Sequence, residues 1–154
     1  PIKKNDWMIV YVNSIWSGAA NGMARIASKQ GIILSHVGNN INDYFTDHGW
    51  SVILHEFGHQ AGLYHTHEAV HGTTPCSNKD CETTGDLICD TPPDPYGQGA
   101  GCNYVPAGSC SVVCKNGCKP DANNIMSYFW PGCKNKFSVR QYAVMACILK
   151  NLLD

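Results

Sequence analysis

Residues 55–65 read His55-Glu56-Phe57-Gly58-His59-Gln60-Ala61-Gly62-Leu63-Tyr64-His65, which fixes residue type at five positions as H-E-x-x-H-x-x-G-x-x-H. At residue frequencies near 5%, chance gives such a match on the order of once per million starting positions. Trp50, Ile53, Leu54 and Phe57 recur at helical spacing just before and within it, so the pattern predicts a helix from about Trp50 that stops near Gly62. Residues four apart share a helix face, which lets His55 and His59 offer imidazole nitrogens to one ion. Gly62 can turn left-handed without a Cβ penalty, ending the helix and swinging His65 back as a third ligand. Three neutral imidazoles at about 2.0–2.1 Å suit Zn²⁺ and keep a fourth position open for water. Glu56 follows the first ligand directly, so it occupies a different sector of the helix and can move a proton without binding the metal. A closed structural zinc site, or a helix with two surface histidines, has no use for that carboxylate.

Composition narrows the setting. The chain has 154 residues, 11 basic and 12 acidic, for a formal charge of −1. That is the size of one domain, without the basic surface a nucleic-acid partner requires. Hydrophobic residues make up 44%, too many for disorder. The charge-free run from Trp7 to Ala24 is interrupted by Asn13, Ser14, Ser17, Gly18, Asn21 and Gly22, so it lacks the roughly 20 apolar residues of a membrane span. All nine cysteines follow residue 75, a usage that points to disulfides made in an oxidising compartment, with one thiol left over. The opening Pro1-Ile2-Lys3-Lys4 reads as a mature or truncated chain.

Three stretches differ in texture. In the cysteine-free first, Trp7-Met8-Ile9-Val10-Tyr11-Val12 reads as a buried strand, and Gly22 to Ser28 and Gly31 to His36 as two short ones. The second, about 69–120, sets seven cysteines among Gly, Pro, Ser, Asn and Asp and is expected to be irregular and stapled. Within it Asp86, Asp90, Thr91 and Asp94 offer hard oxygen ligands for Ca²⁺, or are solvated turn groups. A cysteine metal site at Cys110, Cys114 and Cys118 is the weaker alternative to disulfides there. In the third, Ser138-Val139-Arg140-Gln141 is a capping-box pattern, followed by an apolar stripe of Tyr142, Met145, Ala146 and Leu149. His36, His48, His67 and His71 lack a spaced partner and are read as structural or surface groups; His67, closest to the site in sequence, is read as a surface histidine in preference to a stray metal ligand or part of a pocket.

The elongated histidine motif resembles that of the metzincin metallopeptidases, whose second mark is a methionine-containing turn, and Asn123-Asn124-Ile125-Met126-Ser127-Tyr128 matches it. Leu63-Tyr64-His65-Thr66, Gly85-Asp86-Leu87-Ile88-Cys89-Asp90-Thr91-Pro92-Pro93, and Cys133 with Phe137-Ser138-Val139-Arg140-Gln141 are similar to the pappalysin branch. The resemblance covers roughly residues 50–147. It implies an α+β, metzincin-like zincin fold: a small twisted upper sheet, the active-site helix, an irregular disulfide-rich lower subdomain and a C-terminal helix. It implies one catalytic domain over 1–154, with 1–62 as the upper part and 63–154 as the lower. The same resemblance gives His55, His59 and His65 as zinc ligands, Glu56 as general base, Tyr128 as oxyanion donor and Met126 as the apolar floor. It further implies a secreted endopeptidase, often calcium-dependent and made with a propeptide, that binds protein substrates as an extended strand. Gly22 to Ala27 is the candidate edge for that strand, with an interior strand as the equal alternative. Among the cysteines, Cys102 with Cys133 and Cys76 with Cys110 or Cys118 look like two family bridges, leaving two more and an odd thiol. Relatives place a first strand and a long backing helix ahead of Trp7, and without them the sheet is expected to expose an apolar face. That missing front motivates the alternative of a catalytically inactive zinc-binding module acting in binding or inhibition.

Overall fold

The computed structural model describes residues 8–12, 21–35, 47–69, 71, 76–97 and 99–153. Trp7, His36 and the His48 side chain lie outside the described residues. The chain divides into two compact units, Pro1–Leu63 with Ala143–Asp154, and Tyr64–Tyr142.

The first unit carries strands β1 (Ile9–Val12), β2 (Gly22–Ala24) and β3 (Ile32–Ser35), and helix α1 (Asp47–Gln60). The sheet order is β1-β3-β2, with β3 parallel to β1 and antiparallel to β2. Centrality explains the apolar run of β3: Ile32 and Leu34 are buried, and Ala24, Val52, Ile53 and Phe57 pack against them. The expectation of a buried first strand is overturned. β1 is an edge strand among the described residues, and Ile9 and Tyr11 are exposed. β2 is shorter than expected because Ala27 takes a left-handed φ of 49° that turns the chain away. The loop after β2 is tied to the end of α1, where Ala27 N–H donates to the His59 carbonyl at 3.0 Å and Ser28 N–H to that of Gln60 at 3.3 Å. These bonds occupy carbonyls that a helix C-terminus otherwise leaves to solvent.

α1 sits where the apolar spacing places it, but its buried surface is unusual. Ile53 and Phe57 pack inward as expected, whereas Trp50 and Leu54 are exposed. The most buried side chains of the helix are polar: Ser51, His55, Glu56, His59 and Gln60. Burying polar groups costs free energy unless they are bonded or used, so this face marks the helix as functional. Among the described residues, a groove of about 390 Å³ is lined by Met8, Ile9, Ile32, Ile53, Leu54, Phe57 and Gln60.

In the second unit, regular structure is sparse. Strands β4 (Cys102–Tyr104) and β5 (Val112–Cys114) form an antiparallel pair that the sequence reading left as irregular chain. Val112, Ala122, Phe129 and Cys133 form a small core, with Cys102 and Tyr104 against it. Four disulfides join Cys76 to Cys118, Cys81 to Cys89, Cys102 to Cys114 and Cys110 to Cys133; Cys147 is free and exposed. The Cys102–Cys133 pairing implied by the resemblance is therefore corrected. Cys102 and Cys114 are register partners across β4 and β5, so the hairpin itself selects that bond. Cys110, Cys114 and Cys118, the alternative metal set, are all spent in disulfides.

Helix α2 spans Val139–Leu153. The capping box forms as read: Ser138 Oγ accepts from Gln141 N–H at 3.1 Å, and Gln141 Oε1 accepts from Ser138 N–H at 2.7 Å. Asp90 adds a carboxylate at this N-terminus, accepting from Ser138 Oγ and Arg140 N–H, where the helix dipole favours negative charge. The buried face runs through Gln141 and Met145, while Tyr142 and Ala146 are exposed. The predicted stripe is thus rotated by about one residue, because the cap and Asn124 draw the Gln141 side chain inward.

Candidate metal centre

The end of α1 builds the site. Gly62 has φ +95°, Gly62 N–H donates to the His59 carbonyl, and Leu63 N–H reaches back to that of Gly58, both at 2.9 Å. This pair of bonds is the Schellman arrangement that terminates a helix on a left-handed residue. A Cβ on Gly62 would also stand 2.8 Å from Ile148 Cγ1, so space as well as backbone conformation demands glycine. The same turn brings the Leu63 carbonyl to 2.8 Å from His59 Nδ1. A carbonyl only accepts, so Nδ1 carries the proton and Nε2 is the ring nitrogen suited to a metal.

Within residues 55–65, one ligand nitrogen each from His55, His59 and His65 lie within 4.8 Å of one another. No other group of three or more His, Cys, Asp or Glu side chains is so gathered among the described residues. The donor set fits a borderline metal such as zinc: three imidazoles, one with its tautomer fixed by a backbone carbonyl, and no thiolate. His65 Nδ1 lies 3.6 Å from the Glu68 carboxylate, the kind of partner that orients a ligating imidazole and raises its basicity. Glu68 has a usable sequence signal, a carboxylate three residues after a ligand histidine.

The other expected residues fall into place separately. Glu56 is buried, with its side chain against Gly22 at the start of β2. In the second unit, Met126 is fully buried, its N–H donating to Asn124 Oδ1 at 2.9 Å and its carbonyl accepting from Thr66 N–H at 3.2 Å. The methionine turn is therefore bonded to the residue directly after the third histidine. Asn124 is itself held by Gln141, through Nδ2 to Oε1 at 2.9 Å. Tyr128 is half exposed and meets the His65 ring edge-on, with centroids 4.6 Å apart.

His67 departs from its expected surface role. It is half-buried, stacked on His65 at 4.9 Å and packed against Tyr128 and Tyr96. Burial holds its pKa below the usual histidine value, opposed by the nearby Asp94 charge. His71 is likewise half-buried, edge-on to Tyr64. The acidic residues considered for calcium each accept hydrogen bonds. Asp86 accepts from Ile88 N–H and the Thr91 hydroxyl, Asp94 from the Thr66 hydroxyl and Tyr96 N–H, and Asp90 caps α2. Asp86 and Asp94 are buried rather than solvated turn groups. Burial pushes the Asp86 carboxyl up to about 6 and raises that of Asp94.

Comparison with known proteins adds an independent finding. The peptidase family described as pregnancy-associated plasma protein-A matches residues 4–150. Pappalysin-1 of Homo sapiens is 33% identical over 102 residues, covering 63% of this chain and 6% of that protein. Pappalysin-1 of Mus musculus is 32% identical over 102 residues, with the same coverage. The chain thus spans about 6% of the length of the curated relatives it matches.

Proposed function

The chain belongs to the pregnancy-associated plasma protein-A, or pappalysin, peptidase family, and from that premise we propose that it is a secreted zinc endopeptidase acting on protein substrates. The observation that carries this reading is the gathering of His55, His59 and His65 on a segment that also buries Glu56. Zinc, when bound, supplies a Lewis acid that lowers the pKa of water toward about 7 and polarises a carbonyl. The three histidines would hold it. Glu56 takes the proton of the attacking water and delivers it to the leaving amine, because a carboxylate that follows the first ligand and does not itself coordinate suits both transfers. Tyr128, beside the third ligand, donates its phenolic hydroxyl to the developing oxyanion. Met126 packs as an apolar, non-coordinating floor.

Substrate binding is assigned to β2. One of its edges pairs with β3 and the other carries no strand among the described residues, so an extended peptide can add there through backbone hydrogen bonds. Four disulfides support an extracellular setting. No helix among the described residues is long and apolar enough to cross a membrane.

The test is cleavage of gelatin with and without a chelator, beside the Glu56→Gln variant. Cleavage is expected to stop on chelation and return with zinc, and Glu56→Gln is expected to lower it by about 10²–10⁴-fold with zinc retained. Cleavage that survives Glu56→Gln would remove the mechanism. A zinc-loaded wild type that cleaves nothing would favour the inactive binding module instead.

A further inference from the structure

We propose that Gly22 is a positioning residue for Glu56: the missing side chain at the start of β2 is what allows the carboxylate to lie where proton transfer needs it. This rests on the reading of Glu56 as general base. A Cβ on Gly22 would stand 2.5 Å from Glu56 Oε1, 2.7 Å from its Cγ and 2.9 Å from its Cδ. All three are far inside the separation of about 3.5–4.0 Å at which carbon atoms pack.

Neither backbone is free to yield. Gly22 is paired with Leu34 of the central strand, which is fully buried. The loop after β2 is bonded to the His59 and Gln60 carbonyls at the other end of the contact. The part that must move is the Glu56 side chain, on which the whole overlap falls. Gly22 is also absent from the residues with positive φ, so its backbone is ordinary strand. Alanine there should be favoured by chain entropy, since glycine inside a strand costs about 0.5–1 kcal/mol relative to alanine. The fold gives no reason for glycine at this position, and the carboxylate gives one.

The experiment uses the full chain, zinc-loaded, with labelled gelatin as substrate, and compares Gly22→Ala in the wild-type and Glu56→Gln backgrounds. Gly22→Ala is expected to fold with an unchanged or higher Tm and to retain its metal. Its kcat should fall by about ten- to a hundredfold, the cost of misplacing a reacting group by an ångström. KM should stay within about twofold, because the substitution leaves unchanged the β2 backbone that is proposed to pair with substrate. In the Glu56→Gln background there is no carboxylate left to misplace, so Gly22→Ala should change the residual kcat by less than about threefold, as expected of directly coupled sites. Independently of turnover, the visible spectrum of the Co²⁺-substituted protein should change in Gly22→Ala as it does in Glu56→Gln. An equal fall in both backgrounds, a change confined to KM, an unaltered kcat, or failure to fold in both backgrounds would each overturn the inference. Cleavage by the wild type that survives Glu56→Gln would instead remove the underlying reading of Glu56, whatever Gly22→Ala does.

Discussion

The two units fix polar residues by different means. The first holds His55, Glu56 and His59 on a 14-residue helix, and its lone cysteine is unpaired. The second has two three-residue strands and all four disulfides. Where regular backbone hydrogen bonding is available, glycine and close packing set the side chains. Where it is not, covalent bonds and side-chain-to-backbone bonds, such as those of Asn124 and Asp86, take over that task. The same chemical need is met once by periodic structure and once by crosslinks.

The contrast can be broken most forcefully by removing a bridge. Replacing Cys110 and Cys133 by Ser is expected to cost about 3–4 kcal/mol. Hydrogen exchange should then loosen residues 64–142 far more than α1; uniform loosening would show that the contrast is false. The next largest effect is expected in the first unit. Gly62→Ala combines a left-handed backbone with a 2.8 Å overlap on Ile148, for a cost of about 2–4 kcal/mol. It should also weaken metal retention, since the Leu63 carbonyl would leave His59. Gly117→Ala is the control from the second unit: φ is +84° with nothing within 4 Å of the added Cβ, so thermal melting should show only the backbone cost of about 1–2 kcal/mol.

A smaller loss is expected from Asn124→Ala, which strands the Met126 N–H and the Gln141 amide, at about 1–3 kcal/mol for the polar groups left buried. Urea titration measures it. The smallest effect depends on pH. The Asp86 pKa rises from 3.8 unfolded to about 6 folded, so the folded state binds more protons between those values. Its favourable contribution is complete below 3.8 and is lost as pH rises through about 6. Asp86→Asn keeps an acceptor for Ile88 N–H without the buried charge, and should raise Tm by a few degrees at pH 8 and by almost nothing near pH 4. An equal gain at both pH values would contradict the assignment.

Much of the site was legible before any coordinates. The helix, its stop at Gly62 and the capping box at Ser138 are local patterns, and local hydrogen bonds decide them. The α+β class and family followed from motifs far apart in sequence. What stayed hidden depends on distant neighbours. β1 reads as buried because Ile9 to Val12 is apolar, yet among the described residues it is an edge strand with Ile9 and Tyr11 exposed. Cys102 pairs with Cys114 through a hairpin whose three-residue strands show no periodicity. His67 reads as a surface group because its ring partners Tyr96 and Tyr128 are remote in sequence. Gly22 carried no signal, since only the approach of Glu56 gives its missing side chain a purpose.

The four disulfides interlock in a way that bears on self-digestion. The Cys76–Cys118 bond spans every peptide link between those residues, and Cys110–Cys133 overlaps it and continues past its end. Any single cut between Cys76 and Cys133 therefore leaves two pieces still joined. Under the proposed peptidase activity, one autolytic nick in that stretch would pass unnoticed on a non-reducing gel and separate only after reduction.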